Sequence, residues 1–324
     1  MRLLVAGLIT GALLLLTGAA HAQRAPEWDY CDAKNLGTPD VRIRNCTILI
    51  NTLPVSATRE SICDRTAAYY DRALVYSSQR EYGLAIADLS EAIRIDPTYA
   101  VAYYRRGYAY HAMPEHEPAI ADYSEAIRLN PKLAAAYDGR GHIYQFRGDL
   151  NRAIADYDEA IRLDPERSRA YGPRGRARYA KGDRDDAIAD LTEAIKRNPK
   201  DAVSYYNRAV AYHAMEDDDR ELADYGGAIR ANPKFQWAFT YRGFAYARRR
   251  DYDRALADYN EALRLDPEDA DAYIGRACAN LHAGLLVESL GDFYRAAKFY
   301  LKDPAALLEH RRRWRRSYES AESS

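Results

Sequence analysis

The stretch AIADYSEAIRLNP at residues 119–131 decides how this chain folds, because the chain writes it six times. It stands as AIADLSEAIRIDP at 85–97, AIADYDEAIRLDP at 153–165, AIADLTEAIKRNP at 187–199, ELADYGGAIRANP at 221–233 and ALADYNEALRLDP at 255–267. The closing prolines, Pro97, Pro131, Pro165, Pro199, Pro233 and Pro267, fall 34 residues apart. With each proline at position 32, seven repeats start at Thr66, Ala100, Ala134, Ser168, Ala202, Gln236 and Ala270.

Working outward, position 8 is always Gly or Ala (Ala73, Gly107, Gly141, Gly175, Ala209, Gly243, Ala277) and position 27 is always Ala. Tyrosine fills position 4 everywhere except Phe239 and recurs at 11 and 24, which accounts for most of the excess of 28 Tyr over 6 Phe. A 34-residue period with this punctuation resembles the tetratricopeptide repeat (TPR), here with an "RG" signature at positions 7 and 8. The resemblance covers 66–303 and implies an all-α, right-handed α-solenoid of helix–turn–helix units. Small residues at 8 and 27 would let helices approach closely. Proline at 32 would end each second helix, because it lacks an N–H and clashes with the preceding turn.

Two charged ladders run through all seven repeats: Arg72, Arg106, Arg140, Arg174, Arg208, Arg242 and Arg276 at position 7, and Asp88, Asp122, Asp156, Asp190, Asp224, Asp258 and Asp292 at position 23. They are expected to form partly buried bidentate pairs, within or between repeats. A charge repeated identically in every unit points to structure before ligand binding. RIRNCTILI at 42–50 aligns with the repeated motif, giving a degenerate repeat over 23–56 and an insertion at 57–65, together an N-terminal cap over 23–65. Gly172-Pro173 should kink or delay the first helix of the fourth repeat. Glu221 and Ser289 replace the small Ala of position 20, and Leu301 stands where the seventh proline belongs. Residues 304–324 read as a capping helix and tail.

With 47 Lys+Arg against 48 Asp+Glu, the chain lacks the basic excess of a nucleic-acid protein. Residues 1–22 read as a signal peptide: Met1-Arg2, an apolar run from Leu3 to Leu16, and the small-x-small site Ala20-His21-Ala22. Cleavage before Gln23 would export the protein to the periplasm or beyond; the alternative is a retained anchor. Within 304–324, the run Arg311, Arg312, Arg313, Trp314, Arg315 and Arg316 is a candidate for anionic lipid headgroups or an acidic partner, and equally for a solvated cap with Trp314 packed inward.

Of the four cysteines, Cys31 and Cys46 align with opposing helix faces of the degenerate repeat and are expected to pair. Cys63 offers a competing pairing, and Cys278 reads as a free thiol. His111, His142, His213 and His282 fall at groove positions, but no fixed ligand spacing accompanies them, so neither a metal nor a cofactor is expected.

The resemblance assigns ligand binding to positions 2, 5, 9, 12 and 13 of the first helices, on the concave side. Those positions hold Tyr70, Tyr104, Tyr108, His111, Asp138, His142, Gln145 and Phe146, then Arg169, Arg176, Tyr179, Tyr206, His213, Trp237, Phe244, Arg248, Asp271 and His282. Aromatics mixed with single charges make up binding hot spots, although some of these rings are expected simply to pack between helices. A carboxylate clamp of Lys, Asn and Arg on three successive first helices, known in some TPR proteins, is absent. No nucleophile, phosphate loop or metal motif appears, and no domain is left over for catalysis. The expected function is therefore a non-enzymatic adaptor or scaffold holding a peptide or protein segment. The alternative is a self-assembling structural protein, or an accessory subunit of an envelope complex, that uses the solenoid ends or convex face.

Overall fold

A computed structural model describes residues 38–52, 59–166 and 169–302, and among them finds 15 helices and no strand. The helices divide into two compact units, one up to residue 168 and one from residue 169. The first unit holds α1 (Pro39–Thr52), α2 (Arg59–Ser78), α3 (Tyr82–Ile95), α4 (Ala100–Ala112), α5 (His116–Leu129), α6 (Ala134–Phe146) and α7 (Leu150–Leu163). The second holds α8 (Tyr171–Lys181), α9 (Arg184–Arg197), α10 (Ala202–His213), α11 (Asp218–Ala231), α12 (Gln236–Arg248), α13 (Tyr252–Leu265), α14 (Ala270–His282) and α15 (Leu286–Lys302).

Each repeat is one antiparallel pair, and each second helix also packs on the first helix of the following repeat within its unit. This is the all-α solenoid the period implies. The stops are local chemistry. Asp96, Asn130, Asn198, Asn232 and Asp266 sit just before the prolines and accept the N–H two residues on, a side-chain turn that replaces the next helical bond. Gly182 closes α8 with φ of 102°, a left-handed cap open to glycine without strain.

The irregular repeats follow their sequences. α8 begins only at Tyr171, the fourth position of its repeat, so Gly172-Pro173 lie in its first turn. α15 runs on to Lys302, since no proline stops it. The insertion at 57–65 is helical from Arg59 and continuous with α2, because RESICDR (59–65) holds neither Gly nor Pro to break the helix. Cys46 is fully buried against Leu49, Ile50 and Ala68, and is disulfide-bonded. Cys31, the side chain of Cys63, the leader at 1–22 and the Arg-rich stretch beyond 302 lie outside the described residues.

The small residues are required by close approach. A Cβ on Gly107 would lie 3.1 Å from the Tyr123 ring and 3.2 Å from the Ala119 carbonyl oxygen. Tyr259, fully buried, is gripped between Gly243 and Gly275, where a Cβ would come within 2.7 and 2.4 Å of its ring. All seven arginine–aspartate pairs form within their own repeats. In each, Nε and Nη2 both donate to one carboxylate.

The remaining Nη1 reaches back one repeat, to position 25: Arg72 to Thr47, Arg106 to Ser90, Arg140 to Ser124, Arg208 to Thr192, Arg276 to Asn260. Arg242 finds Gly226 there instead, and a Cβ on that glycine would lie 3.8 Å from Nη1 with nothing nearer than 3.4 Å. Gly226→Ser is therefore expected to stabilise the protein by about 1–2 kcal/mol, combining the gain of removing a mid-helix glycine with a hydrogen bond to a charged donor. The adjacent Gly227→Ala should do the opposite, because its Cβ would stand 2.6 Å from the Tyr205 ring. Urea midpoints moving in opposite directions for these neighbours would establish the assignment; a loss for Gly226→Ser would refute it.

Candidate functional site

In the first unit the expected ligand face is carried by α2, α4 and α6, of which α4 and α6 touch directly. Tyr70 packs edge-on against Tyr99 at 5.4 Å, and Tyr104 leans on buried Tyr123 at 6.0 Å. Tyr108 and Phe146 project outward, 46% and 77% exposed. Gln145 accepts the hydroxyl of buried Tyr157 at 2.9 Å, a structural task. His142 lies 3.7 Å from Asp138 and edge-on to Tyr157.

His111 and His142 are close enough for each charge to influence the other, and a third histidine joins them. His116, the first residue of α5, lies 6.2 Å from His111 and 4.9 Å from Phe146, ring to ring. Its place on a second helix put it outside the positions considered from sequence. Burial, then the nearby His142 and His116, holds His111 below its ordinary 6.5. The folded state thus resists a proton that the unfolded chain accepts. Stability should be independent of this group above pH 6.5 and fall as pH drops below it. The His111→Gln variant is expected to lose less stability than the parent between neutral and mildly acidic pH. Equal slopes for the two proteins would sink the prediction.

In the second unit Tyr206 of α10 is the hub of an aromatic cluster. It meets Tyr225, Phe235, Trp237 and Tyr241 at centroid distances of 5.8, 5.5, 6.4 and 5.6 Å. Phe244 extends the cluster toward Tyr259. Trp237 is 54% exposed and forms the open edge. Tyr241, at position 6, was outside the expected set. Arg176 and Tyr179 stand partly exposed on α8, whereas Arg169 precedes that helix, which starts later than its repeat.

Other expected ligand residues are occupied internally. His213 and Arg248 converge on Glu221, whose carboxylate is buried; His213 Nδ1 lies 3.4 Å away, and Arg248 pairs with it directly while also reaching Asp218 at 3.1 Å. Asp271 accepts the Tyr300 hydroxyl at 3.1 Å. His282 stacks on Tyr252 at 4.9 Å, with Nδ1 2.8 Å from the Cys278 carbonyl. Cys278 is free, and burial pushes its thiol up. Among the described residues no group of three or more His, Cys, Asp or Glu could hold a metal ion, and no helix is long and apolar enough to cross a membrane.

Family models described as TPR repeat and tetratricopeptide repeat match the sequence over 73–113 and 175–216, over 100–133 and 237–269, and over 134–167. Among solved structures, the chain is similar to a tetratricopeptide repeat protein from Parabacteroides merdae, with 18% identity, TM-score 0.57, and coverage of 72% of this chain and 93% of that one. It is also similar to pilF of Pseudomonas aeruginosa, with 16% identity, TM-score 0.57, and coverage of 70% and 98%. At these identities the likeness concerns the fold. None of the curated proteins compared with the sequence matches it.

Proposed function

Because this chain belongs to the tetratricopeptide repeat family, we propose that it is a non-enzymatic adaptor that binds a peptide or protein segment along its first helices, outside the cytoplasm. The observation that carries this reading is the exposure of large aromatics where the packing does not need them. Tyr108 stands open on α4, and Phe146 and Trp237 stand open beside the rings of His116 and Tyr206. Exposed aromatics backed by a rigid aromatic layer are the material of binding hot spots. The location rests on the leader-like residues 1–22, and on a disulfide at Cys46 that suits an oxidising compartment.

The test is a crosslinked pull-down from exported-compartment extract, comparing the protein with a Tyr108→Ala, Phe146→Ala, Trp237→Ala variant. These three suit the test because they are exposed, whereas Tyr104 and Tyr206 also hold the fold. With helical content matched by circular dichroism, partners are expected to be lost from the variant, and the protein recovered from that compartment to begin at Gln23. A second reading has its own support: Leu286, Val287, Leu290, Tyr294 and Leu301 of α15 are all more than half exposed. That apolar face suits assembly through an end of the array. Unchanged partners, or self-crosslinks alone, would favour it.

A further inference from the structure

The position-7 arginines are half-buried and each is neutralised by an aspartate of its own repeat. Arg105, next to Arg106 on α4, is similarly enclosed, yet among the described residues its partners are tyrosines and no carboxylate pairs with it. Its Nε–H is buried without an acceptor. Its guanidinium lies 5.4 Å from the Tyr104 ring centroid, and the Tyr70 and Tyr108 phenols are close enough to influence its charge. Tyr108 stands one turn further along α4, nearly half exposed.

The surroundings favour an incoming anion. Burial raises the Tyr104 phenol and pushes that of Tyr99 up to about 12, so both stay protonated and able to donate. Nearby acids have other work: Asp96 accepts the N–H and hydroxyl of Thr98, and Asp138 lies by His142. A half-buried guanidinium without a counter-charge carries a desolvation cost that an anion would relieve. Its planar fork suits a carboxylate, and tyrosine walls exclude the competing water.

The geometry points to Arg105 as the anchor for a carboxylate of the bound peptide, held among Tyr70, Tyr104 and Tyr108. This rests on the peptide-binding reading above. It differs from the clamp missing from the sequence, because one guanidinium walled by tyrosines replaces charges spread over three helices.

The probe is a random heptapeptide library offered to the whole protein in two formats, one with a blocked C-terminus and one with it free. Enrichment of Asp or Glu at a fixed place in the blocked format identifies a side-chain carboxylate; enrichment only in the free format identifies a terminal one. Either should vanish with Arg105→Gln, whose fold is checked by its thermal transition, and return in part with Arg105→Lys. For the selected peptide, changing its acid to the amide, or Arg105 to Gln, should each weaken binding by about tenfold, and both together by little more. Peptides selected without an acid, or an acid preference that survives Arg105→Gln, would overturn the anchor while leaving peptide binding intact. No selected peptide in either format would overturn the anchor and the peptide-binding reading together.

Discussion

Replacing Asp122 with alanine is expected to remove about 3 kcal/mol of stability, the lower end of the cost of orphaning one member of a buried ion pair. Arg106 donates through Nε and Nη2 to that carboxylate at 2.8 Å each, and through Nη1 to Ser90 at 3.0 Å. Its side chain is 20% exposed and that of Asp122 8%, so neither charge is well hydrated. The paired aspartate outweighs burial and raises the arginine further above its ordinary range; because a guanidinium keeps its proton at any ordinary pH, the cation stays charged after its partner is gone. The Ser90 hydroxyl, which already donates to the Ile86 carbonyl at 2.7 Å, offers one acceptor and no charge. By contrast, Arg106→Met with Asp122→Leu should be close to neutral, because apolar groups of similar volume carry no desolvation penalty. Urea titrations of the three proteins decide the matter. A small loss in the single variant would mean that water reaches the pair, and the ladder would then be a surface feature.

The ladder was legible because it repeats. A residue required by packing must recur at each turn of the solenoid, so its spacing alone announces it. The small residues at position 8, the stops at position 32 and the late start of α8 were visible for the same reason. Residues that occur once carry no such signal. Glu221 stood out only as an intruder at an alanine position, and its partners came from two other helices, α10 and α12, whose meeting no local pattern encodes. Arg105 and Tyr241 share position 6, which also holds Asp71, Gly139, Pro173, Asn207 and Gly275. That position has no common chemistry and lies outside those the resemblance assigns to ligands, yet variation is where recognition is free to differ. His116 sits on a second helix, outside the surface that the resemblance singled out, but the turn brings it back beside Phe146.

The other large effect belongs to Arg248, which the family resemblance placed among ligand residues. Arg248→Ala is expected to cost about 2–3 kcal/mol, the range for leaving a buried charged acceptor without its main partner. Glu221 is 1% exposed, and only His213 at 3.4 Å would remain to face it. Buried Tyr225, one turn further along α11, packs against Tyr206, so the loss would be felt in the aromatic cluster around Tyr206. The discriminating experiment is rescue. Position 20 is a fully buried alanine at Ala85, Ala119, Ala153, Ala187 and Ala255, so Glu221→Ala restores the packing of the other repeats. In the double variant no buried charge is left unpaired, and most of the lost stability should return. If it does, and ligand binding returns with it, Arg248 serves the fold. If stability returns while binding stays lost, Arg248 also touches the ligand through its exposed side. A single variant as stable as the parent would show that His213 and water replace the arginine, and that Glu221 is less confined than its burial implies.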